Sequence, residues 1–274
     1  MRSIKFKNFE ISNDNLFTII VGPCVLENRD HALKMADLIN NICSESNINY
    51  IFKASFDKAN RTSIDSFRGV GIDKGLDIFN EIKNNYDCPI LTDVHNVNEC
   101  LILEKSNTVD IIQIPAFLCR QTDLLIAAGK TKKIISVKKG QFLSPNDVPN
   151  IIDKIRSTDN ENILITERGT SFGYNNLVSD FRSIEIIKKN KFPVIFDATH
   201  SVQEPGGLGF SSGGKREFVS VLAKAAIAIG VAGIFIETHN DPDNAPSDGP
   251  NMLNIKDLKD LILKLKEFDK IAKS

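Results

Sequence analysis

Residues 193–237, PVIFDATHSVQEPGGLGFSSGGKREFVSVLAKAAIAIGVAGIFIE, contain the alternation that decides the fold. A short apolar run, Pro193–Ala198, is followed by the helical pattern KREFVSVLAKAAIAIG (215–230) and then by a second apolar run, Gly233–Ile236. Short continuous apolar runs are typical of parallel strands that are covered on both faces. This segment therefore predicts a strand, a helix and a strand of an α/β protein.

The same alternation continues through the rest of the chain. Six further strands are expected, at Leu16–Val21, Tyr50–Ala54, Pro89–Val94, Asp110–Pro115, Lys133–Val137 and Ile163–Thr166. A helical pattern follows every strand, ending with IKDLKDLILKLKEFDKIAK (255–273). Eight strand–helix units predict a TIM barrel, which typically takes about 250 residues. A doubly wound sheet with a small second domain is the alternative, but the last strands lack a natural break, so we expect a single domain over residues 1–274.

The N-terminus and the composition narrow the class of protein. SIKFKNFEI (3–11) alternates like an amphipathic strand pair, so residues 1–15 are expected to form a β-hairpin-like extension that caps the bottom of the barrel. We find no signal-peptide pattern and no stretch of transmembrane length, and we expect no membrane partner. A formal net charge of −1 gives no basic field for nucleic acid. Five cysteines without a closely spaced pair favour free thiols and a cytoplasmic location.

Four candidate metal ligands lie just past the ends of predicted strands. Cys24, His200 and Glu237 each follow an apolar run, and Asp248 lies in a Pro/Gly/Asn-rich loop. The seventh, eighth and first strands are neighbours in a closed barrel, so these residues should converge on one arc of its C-terminal mouth. A thiolate, an imidazole and two carboxylates suit Zn²⁺, Fe²⁺ or Mn²⁺. His239 is a competing ligand, but we expect it to have already entered the loop.

Cationic residues are expected on the opposite arc of the mouth. Lys53 and Lys138 directly follow apolar strand residues, and Arg168 comes two positions after the predicted strand Ile163–Thr166, where a cation is costly without an anionic partner. Lys58 and Arg61 lie in the loop FKASFDKANRTS, although a charge-rich loop is usually just solvated. None of the glycine-containing loops matches a nucleotide-binding motif. A metal on one side and cations on the other predict a site for a phosphorylated small molecule.

Long motifs, in order and nearly end to end, carry a resemblance to one known family. They are GPCVLE, FKASFDKANRTS, LTDVH, DIIQIPAFLCRQTDLL, VKKGQF, ERGTSFGYNNLVSDFRS, FDATHSVQ, SGGKREF and IETHNDPDNAPSDGPNML. With these motifs the chain resembles the 3-deoxy-D-manno-octulosonate 8-phosphate synthases. The resemblance implies a homotetrameric TIM-barrel transferase that condenses phosphoenolpyruvate with D-arabinose 5-phosphate and water and releases phosphate. It also implies a role in making the precursor of the lipopolysaccharide inner core.

The resemblance implies roles for individual residues. The set implied to bind phosphoenolpyruvate or to line its pocket is Lys53, Lys58, Gln113, Ala116, Lys138 and Arg168, and Ser55 is a further candidate for substrate binding. Asn60, Arg61 and Thr62 match the segment that receives arabinose 5-phosphate, and a neighbouring subunit of the homotetramer can complete that phosphate site. The candidates for catalytic roles are Cys24, Lys58, His200 and Asp248.

The family has a metal-dependent and a metal-independent branch. The independent branch carries Asn in place of Cys24 and typically Cys in place of Ser247, so this chain resembles the dependent branch. The resemblance therefore implies that Cys24, His200, Glu237 and Asp248 hold a divalent metal. The metal would either activate a water molecule or orient the sugar aldehyde, and the sequence leaves both roles open.

Three other functions compete with this interpretation. A related phosphoenolpyruvate aldolase that makes 3-deoxy-heptulosonate 7-phosphate is disfavoured by KANRTS, because those enzymes carry a Pro-Arg-Thr-type segment there. A class I aldolase would use Lys53 or Lys138 to form a Schiff base. A non-catalytic sugar-phosphate-binding protein would need neither a thiolate nor a metal.

Overall fold

Parallel strands pair in chain order and close into a barrel. The computed structural model describes residues 2–207 and 213–274, and within them eight parallel strands follow one another around the barrel until the last pairs with the first. In chain order all strands are β1 (Ile4–Lys5), β2 (Glu10–Ile11), β3 (Thr18–Gly22), β4 (Tyr50–Lys53), β5 (Ile90–Asp93), β6 (Ile111–Ile114), β7 (Ile134–Lys138), β8 (Ile163–Glu167), β9 (Thr170–Ser171), β10 (Leu177–Val178), β11 (Val194–Asp197), β12 (Gln203–Glu204), β13 (Gly213–Gly214), β14 (Gly233–His239) and β15 (Leu253–Asn254). The barrel consists of β3 to β8, β11 and β14, which confirms the predicted TIM barrel.

A helix covers the outside of the barrel after each barrel strand. The helices are α1 (Arg29–Glu45), α2 (Ile72–Tyr86), α3 (Val97–Glu104), α4 (Thr122–Lys130), α5 (Val148–Arg156), α6 (Arg182–Lys188), α7 (Val219–Ala228) and α8 (Ile255–Ala272). Proline in the first turn of α5 fits there because its missing N–H would have no intrahelical partner. None of the helices in the described part of the chain is long and apolar enough to cross a bilayer.

Two apolar layers hold the barrel together. The larger lies between the strands and the surrounding helices, and the smaller fills the inside of the barrel at its N-terminal end. In the smaller layer Ile4 and Ile11, which pair across β1 and β2, pack with inward-facing residues such as Ile51 and Phe235. The expected hairpin is thus confirmed, and it covers the bottom of the barrel.

The last barrel strand is longer than the sequence predicted. β14 continues to His239 because its end pairs with β15, through Thr238 with Leu253 and His239 with Asn254. Glu237 therefore lies inside the strand, and the expectation that His239 has entered the loop was wrong. The segment that follows, from residue 240 to residue 252, folds over the mouth of the barrel and carries Asp248.

Candidate active site at the mouth of the barrel

A cavity of about 430 Å³ opens at the C-terminal mouth of the barrel. Most of the residues expected from the sequence line it: Lys53, Lys58, Asn60, Arg61, Thr62, Gln113, Ala116, Lys138, Arg168, His200 and Asp248. Three expected residues, Cys24, Ser55 and Glu237, do not line the cavity and are buried beneath its floor. The Ser55 hydroxyl contacts Asp93 and Lys53, so Ser55 supports two residues that line the cavity.

The four candidate metal ligands come together on one side of this cavity. Cys24 Sγ lies 3.0 Å from Asp248 Oδ2. His200 Nε2 lies 3.7 Å from Glu237 Oε2 and 4.0 Å from Asp248 Oδ2. Ligand atoms of Cys24, Glu237 and Asp248 all lie within 4.8 Å of one another. Residues far apart in sequence are thus gathered around one point because β3, β11 and β14 are neighbours in the barrel.

The surroundings of these side chains fit a divalent cation. Glu237 is completely buried, and its Oε2 has no hydrogen-bond partner among the described residues, so one carboxylate oxygen faces the cluster unsatisfied. His200 Nδ1 lies 2.9 Å from Asp197, which turns Nε2 towards the cluster, as is common for histidines that bind metals. Burial and the negative charge of Glu237 raise the pKa of the Cys24 thiol, so a nearby cation is needed to form the thiolate.

Buried ion pairs form the cationic side of the site. Lys53 Nζ lies 2.7 Å from Glu237 Oε1, and both side chains are at most 1 % exposed. Lys138 pairs with Asp197, and its ammonium lies 3.5 Å from the centre of the Phe235 ring. Burial by itself raises the pKa of Asp197, but His200 and Lys138 outweigh that effect and hold it well below its usual range. The lysines therefore have counter-ions below them and a cavity above.

Arg168 lies at the end of the next barrel strand with part of its guanidinium unused. Its Nη2 donates to Gln203 Oε1 at 3.0 Å, whereas its buried Nη1 has no partner among the described residues. Glu167 orders the backbone here, since its Oε1 accepts the N–H groups of Arg168 and Gly169. Gly169 has φ +89°, which disfavours other residues. An unsatisfied guanidinium N–H at the edge of a cavity is suited to an anion.

Arg61 contacts the loop that carries Asp248. Its Nη1 donates to Ser247 Oγ at 2.6 Å and its Nη2 donates to the Pro246 carbonyl at 2.7 Å. Its neighbours Asn60 and Thr62 are exposed at the rim of the cavity. The segment implied to receive the sugar phosphate therefore faces the cavity, and its role remains a prediction.

Some polar residues of the cavity were not assigned roles from the sequence. Asp93, Gln141, Gln203 and Ser247 also line it. The position of Asp93 at the end of a barrel strand was a usable signal, whereas the contacts of Gln203 and Ser247 depend on how separate loops meet. Burial lowers the pKa of His95, but the carboxylates of Asp93 and Glu99, 3.2 and 3.3 Å from its ring nitrogens, outweigh burial and raise that pKa to about 9.

His239 belongs to a different cluster from the candidate metal ligands. Its Nδ1 accepts the Asp241 N–H at 2.9 Å, so Nε2 carries the proton and donates to Glu27 at 2.8 Å. The His31 ring lies against it, with ring centres 4.6 Å apart. With both ring nitrogens engaged in this way, His239 is not available as a fifth ligand.

A closed (β/α)8 barrel with a charged cavity at its C-terminal mouth has the architecture of the TIM-barrel enzymes. Within that class, the chain belongs to the DAHP synthetase I family, which it matches over residues 3–274.

Relatives are similar along almost their whole length. The chain is 57% identical to the 2-dehydro-3-deoxyphosphooctonate aldolase of Rickettsia canadensis (strain McKiel), over 98% of each protein. It is 56% identical to the protein of the same name from Bartonella tribocorum, over 98% of this chain and 96% of that protein. A further relative of that name, from Rickettsia prowazekii, is also 56% identical over 98% of each.

Proposed function

We propose that the chain is a 3-deoxy-8-phosphooctulonate synthase, a transferase for which 2-dehydro-3-deoxyphosphooctonate aldolase is another name. It condenses phosphoenolpyruvate with D-arabinose 5-phosphate and water to give 3-deoxy-D-manno-octulosonate 8-phosphate and phosphate, in the synthesis of the lipopolysaccharide precursor. The observation that carries this proposal is the mouth of the barrel, where a cluster of metal-binding side chains adjoins a cavity lined by lysines and arginines. The relatives at 55–57% identity support it.

We place phosphoenolpyruvate against the buried cations. Its phosphate would take the unused Nη1 of Arg168 and the ammonium of Lys138, with Lys53 and Lys58 facing its carboxylate. Gln113 and Ala116 line the same part of the cavity. Because the lysines already have counter-ions below them, this part of the site is close to neutral before the anion binds.

We place arabinose 5-phosphate on the segment Asn60–Thr62 at the rim. Arg61 is the only one of these three with a charge, and its guanidinium can exchange the Ser247 and Pro246 contacts for phosphate oxygens. The aldehyde end of the sugar would then point towards the candidate metal ligands. This arrangement would bring C3 of phosphoenolpyruvate next to the aldehyde carbon, in the near-attack geometry that condensation requires.

The reaction needs stabilisation of charge more than covalent help from the protein. C3 attacks the aldehyde carbon, positive character develops at C2, water adds there, and phosphate then leaves. Lys138 and Arg168 stabilise the phosphate as it departs. We assign the chain to the metal-dependent branch, with Cys24, His200, Glu237 and Asp248 as ligands of Zn²⁺, Fe²⁺ or Mn²⁺. When bound, the metal would supply Lewis acidity towards a water or the aldehyde oxygen.

A class I aldolase is the second candidate, and one observation favours it. Burial lowers the pKa of Lys138, which is what an imine-forming lysine needs. Against it, Lys138 is paired with Asp197, and Lys53 with Glu237, which favours the protonated, non-nucleophilic ammonium. Borohydride trapping with substrate distinguishes the two, since only an imine leaves a covalent adduct.

Phosphate release is the direct test of the proposed function. The assay compares phosphoenolpyruvate with arabinose 5-phosphate and with erythrose 4-phosphate, before and after chelation and after addition of Mn²⁺, Fe²⁺ or Zn²⁺. We expect release only with the pentose phosphate, loss of release on chelation, and recovery with metal. Preference for erythrose 4-phosphate would support the heptulosonate synthase, and full activity in metal-free protein would contradict the metal-dependent assignment.

We also propose that residues 1–274 form one domain, that the enzyme is cytoplasmic, and that it assembles as a homotetramer in which a neighbour completes the sugar-phosphate site. Exposed aromatic side chains near the mouth, Phe117, Phe142 and Phe172, support an interface there. Analytical ultracentrifugation tests the assembly, and a monomer with full activity would contradict it.

A further inference from the structure

Gln203 lies between two residues that the proposed function assigns to different tasks. Its Oε1 accepts a hydrogen bond from Arg168 Nη2 at 3.0 Å, and its Nε2 donates to Asp248 Oδ1 at 3.1 Å. A carboxamide can accept at one end and donate at the other. The side chain therefore bridges a cation of the substrate pocket and a candidate metal ligand.

The backbone around Gln203 is fixed by close packing. Gln203 pairs with Gly214 in the short ribbon of β12 and β13. A Cβ on Gly214 would lie 1.4 Å from Asn251 Oδ1, and Asn251 is fully buried in the turn that follows Asp248. The absence of a side chain at Gly214 thus lets the ribbon press directly on the Asp248 loop, which holds the Gln203 amide against the carboxylate.

The direction of the Asp248 carboxylate is set by its side-chain contacts. The residue has φ 51°, in the left-handed region that aspartate adopts more often than most other residues. Its Oδ2 faces Cys24 and Ser247, at 3.0 and 3.3 Å, and lies 4.0 Å from His200 Nε2. Gln203 holds the other oxygen, Oδ1, so this contact decides which way the carboxylate turns.

We propose that Gln203 is a positioning residue. It keeps Asp248 Oδ2 aimed at the other candidate metal ligands and keeps Arg168 Nη1 free for the phosphate of phosphoenolpyruvate. This inference rests on the proposed function and deepens it. Gln203 occupies Nη2 only, so an anion is directed to Nη1 and the bridge persists when substrate binds. Loss of the bridge then weakens two distinct events, retention of the metal and binding of phosphoenolpyruvate.

Two substitutions separate the two ends of the bridge. Gln203→Ala removes both contacts, whereas Gln203→Glu keeps an acceptor for Arg168 but replaces the donor with a negative oxygen next to Asp248. Zn²⁺ affinity is measured without substrates by competition with a chromophoric chelator. We expect a loss of about ten- to a hundredfold in both variants, the size typical of residues that support a metal ligand.

Steady-state kinetics supply the second readout. Gln203→Ala should raise the KM for phosphoenolpyruvate several-fold more than the KM for arabinose 5-phosphate. Gln141→Ala is the matched control, because Gln141 lines the same cavity and makes no described contact with Asp248. We expect it to leave Zn²⁺ affinity unchanged. Unfolding of each variant is monitored by circular dichroism, so that affinities are compared only between folded proteins.

The outcomes distinguish this inference from the proposed function. Wild-type Zn²⁺ affinity in both folded Gln203 variants, in an enzyme whose phosphate release is sensitive to chelation, would overturn the role of Gln203 alone. Equal losses in Gln203→Ala and Gln141→Ala would also overturn it, because the effect would then belong to the cavity in general. A wild-type protein that neither binds Zn²⁺ nor releases phosphate would overturn both.

Discussion

The two ends of the barrel are built from opposite kinds of residue. At the bottom, the hairpin residues Ile4 and Ile11 close an apolar plug, and the members of that plug are at most 2 % exposed. At the mouth, Lys53, Glu237 and Asp197 are buried just as deeply but carry charge. Burying apolar side chains stabilises a fold by about 1.5–3 kcal/mol each, whereas buried ion pairs often contribute nothing net. We therefore expect the bottom to contribute stability and the mouth to contribute chemistry.

Substitution of Lys138 should be the strongest exception to this division between a stabilising bottom and a catalytic mouth. Although Lys138 lies at the mouth, its loss should lower the stability of the fold. Lys138→Ala leaves Asp197 buried without its closest cation, and breaking a buried pair typically costs about 3–5 kcal/mol. The loss in the free energy of unfolding is measured by urea denaturation followed by circular dichroism. Arg168→Ala is the comparison, since Arg168 has no carboxylate partner at salt-bridge distance among the described residues, and we expect a smaller loss of stability.

The same two residues test where the phosphate of phosphoenolpyruvate lies. If Lys138 and Arg168 hold one phosphate, a double-mutant cycle in kcat/KM should depart from additivity by about 0.5–3 kcal/mol. Both side chains are also attracted by Asp197, so the cycle is repeated on unfolding without substrate. Coupling that appears only in unfolding would mean that the phosphate binds elsewhere.

Two buried cysteines give the next contrast. Cys24→Ala should lower kcat about a hundred- to a thousandfold, or about 2.7–4 kcal/mol, and should lose bound metal at the same time. Cys43→Ala removes an equally buried thiol from α1, far from the mouth, and should leave activity per folded molecule unchanged. Metal content and phosphate release are measured on both. Full activity in Cys24→Ala would contradict the ligand assignment.

His95 should make the mouth sensitive to pH in a way that the bottom is not. Its pKa is about 9 in the fold, above the ordinary 6.5, because Asp93 and Glu99 favour the charged ring in spite of its burial. The charged His95 ring therefore contributes its full stabilisation of the fold below about pH 6.5. This contribution, about 3 kcal/mol in the free energy of unfolding, is lost as pH rises through about 9. Unfolding of wild type and His95→Gln is compared at both ends of this range, and a constant difference would contradict the assignment.

The bottom of the barrel is tested with Ile11→Ala. Truncating a buried isoleucine should cost about 2–3 kcal/mol of stability at any pH, with kcat and both KM values unchanged. Ile271→Ala is the control, because Ile271 is 76% exposed and its truncation should change stability by less than about 0.5 kcal/mol. A loss of activity in folded Ile11→Ala would show that the two ends are coupled.

Arg61 should show the most selective effect. Arg61→Ala removes a charge-assisted contact worth about 1.5–3 kcal/mol, so the KM for arabinose 5-phosphate should rise about ten- to a hundredfold. The KM for phosphoenolpyruvate should stay nearly constant. Arg68→Ala, in the same loop but paired with Asp57 on the surface, should change neither. The reverse selectivity would assign Arg61 to the other substrate.

Local patterns were sufficient for the fold but not for every contact of the site. The barrel strands and helices could be predicted because each has its own apolar periodicity, and the closure of the barrel then brought Cys24 and Glu237 together. The end of β14 could not be predicted from the sequence, because it depends on pairing with β15, a segment without a strand pattern of its own.

Partners that lie on different loops escaped prediction for a related reason. Asp197 has no feature in the sequence that identifies it as the counter-ion of Lys138, since the pair forms across β7 and β11. Gln203 reaches Asp248 only because Gly214 allows its ribbon to approach Asn251. Such contacts are set by the distance between backbones, which single-residue patterns do not report.

The pairing of the first and last barrel strands has a consequence during synthesis of the protein on the ribosome. Cys24 and Asp248 meet although they are 224 positions apart in the chain, and Glu237 lies in the last strand of the barrel to leave the ribosome. Contacts between such distant residues form late, after the loop between them has been closed. A nascent chain therefore holds Cys24 for most of its synthesis without the carboxylates that complete the cluster. In the proposed metal-dependent enzyme, the metal would therefore bind only to a finished chain, and truncated products would remain without it.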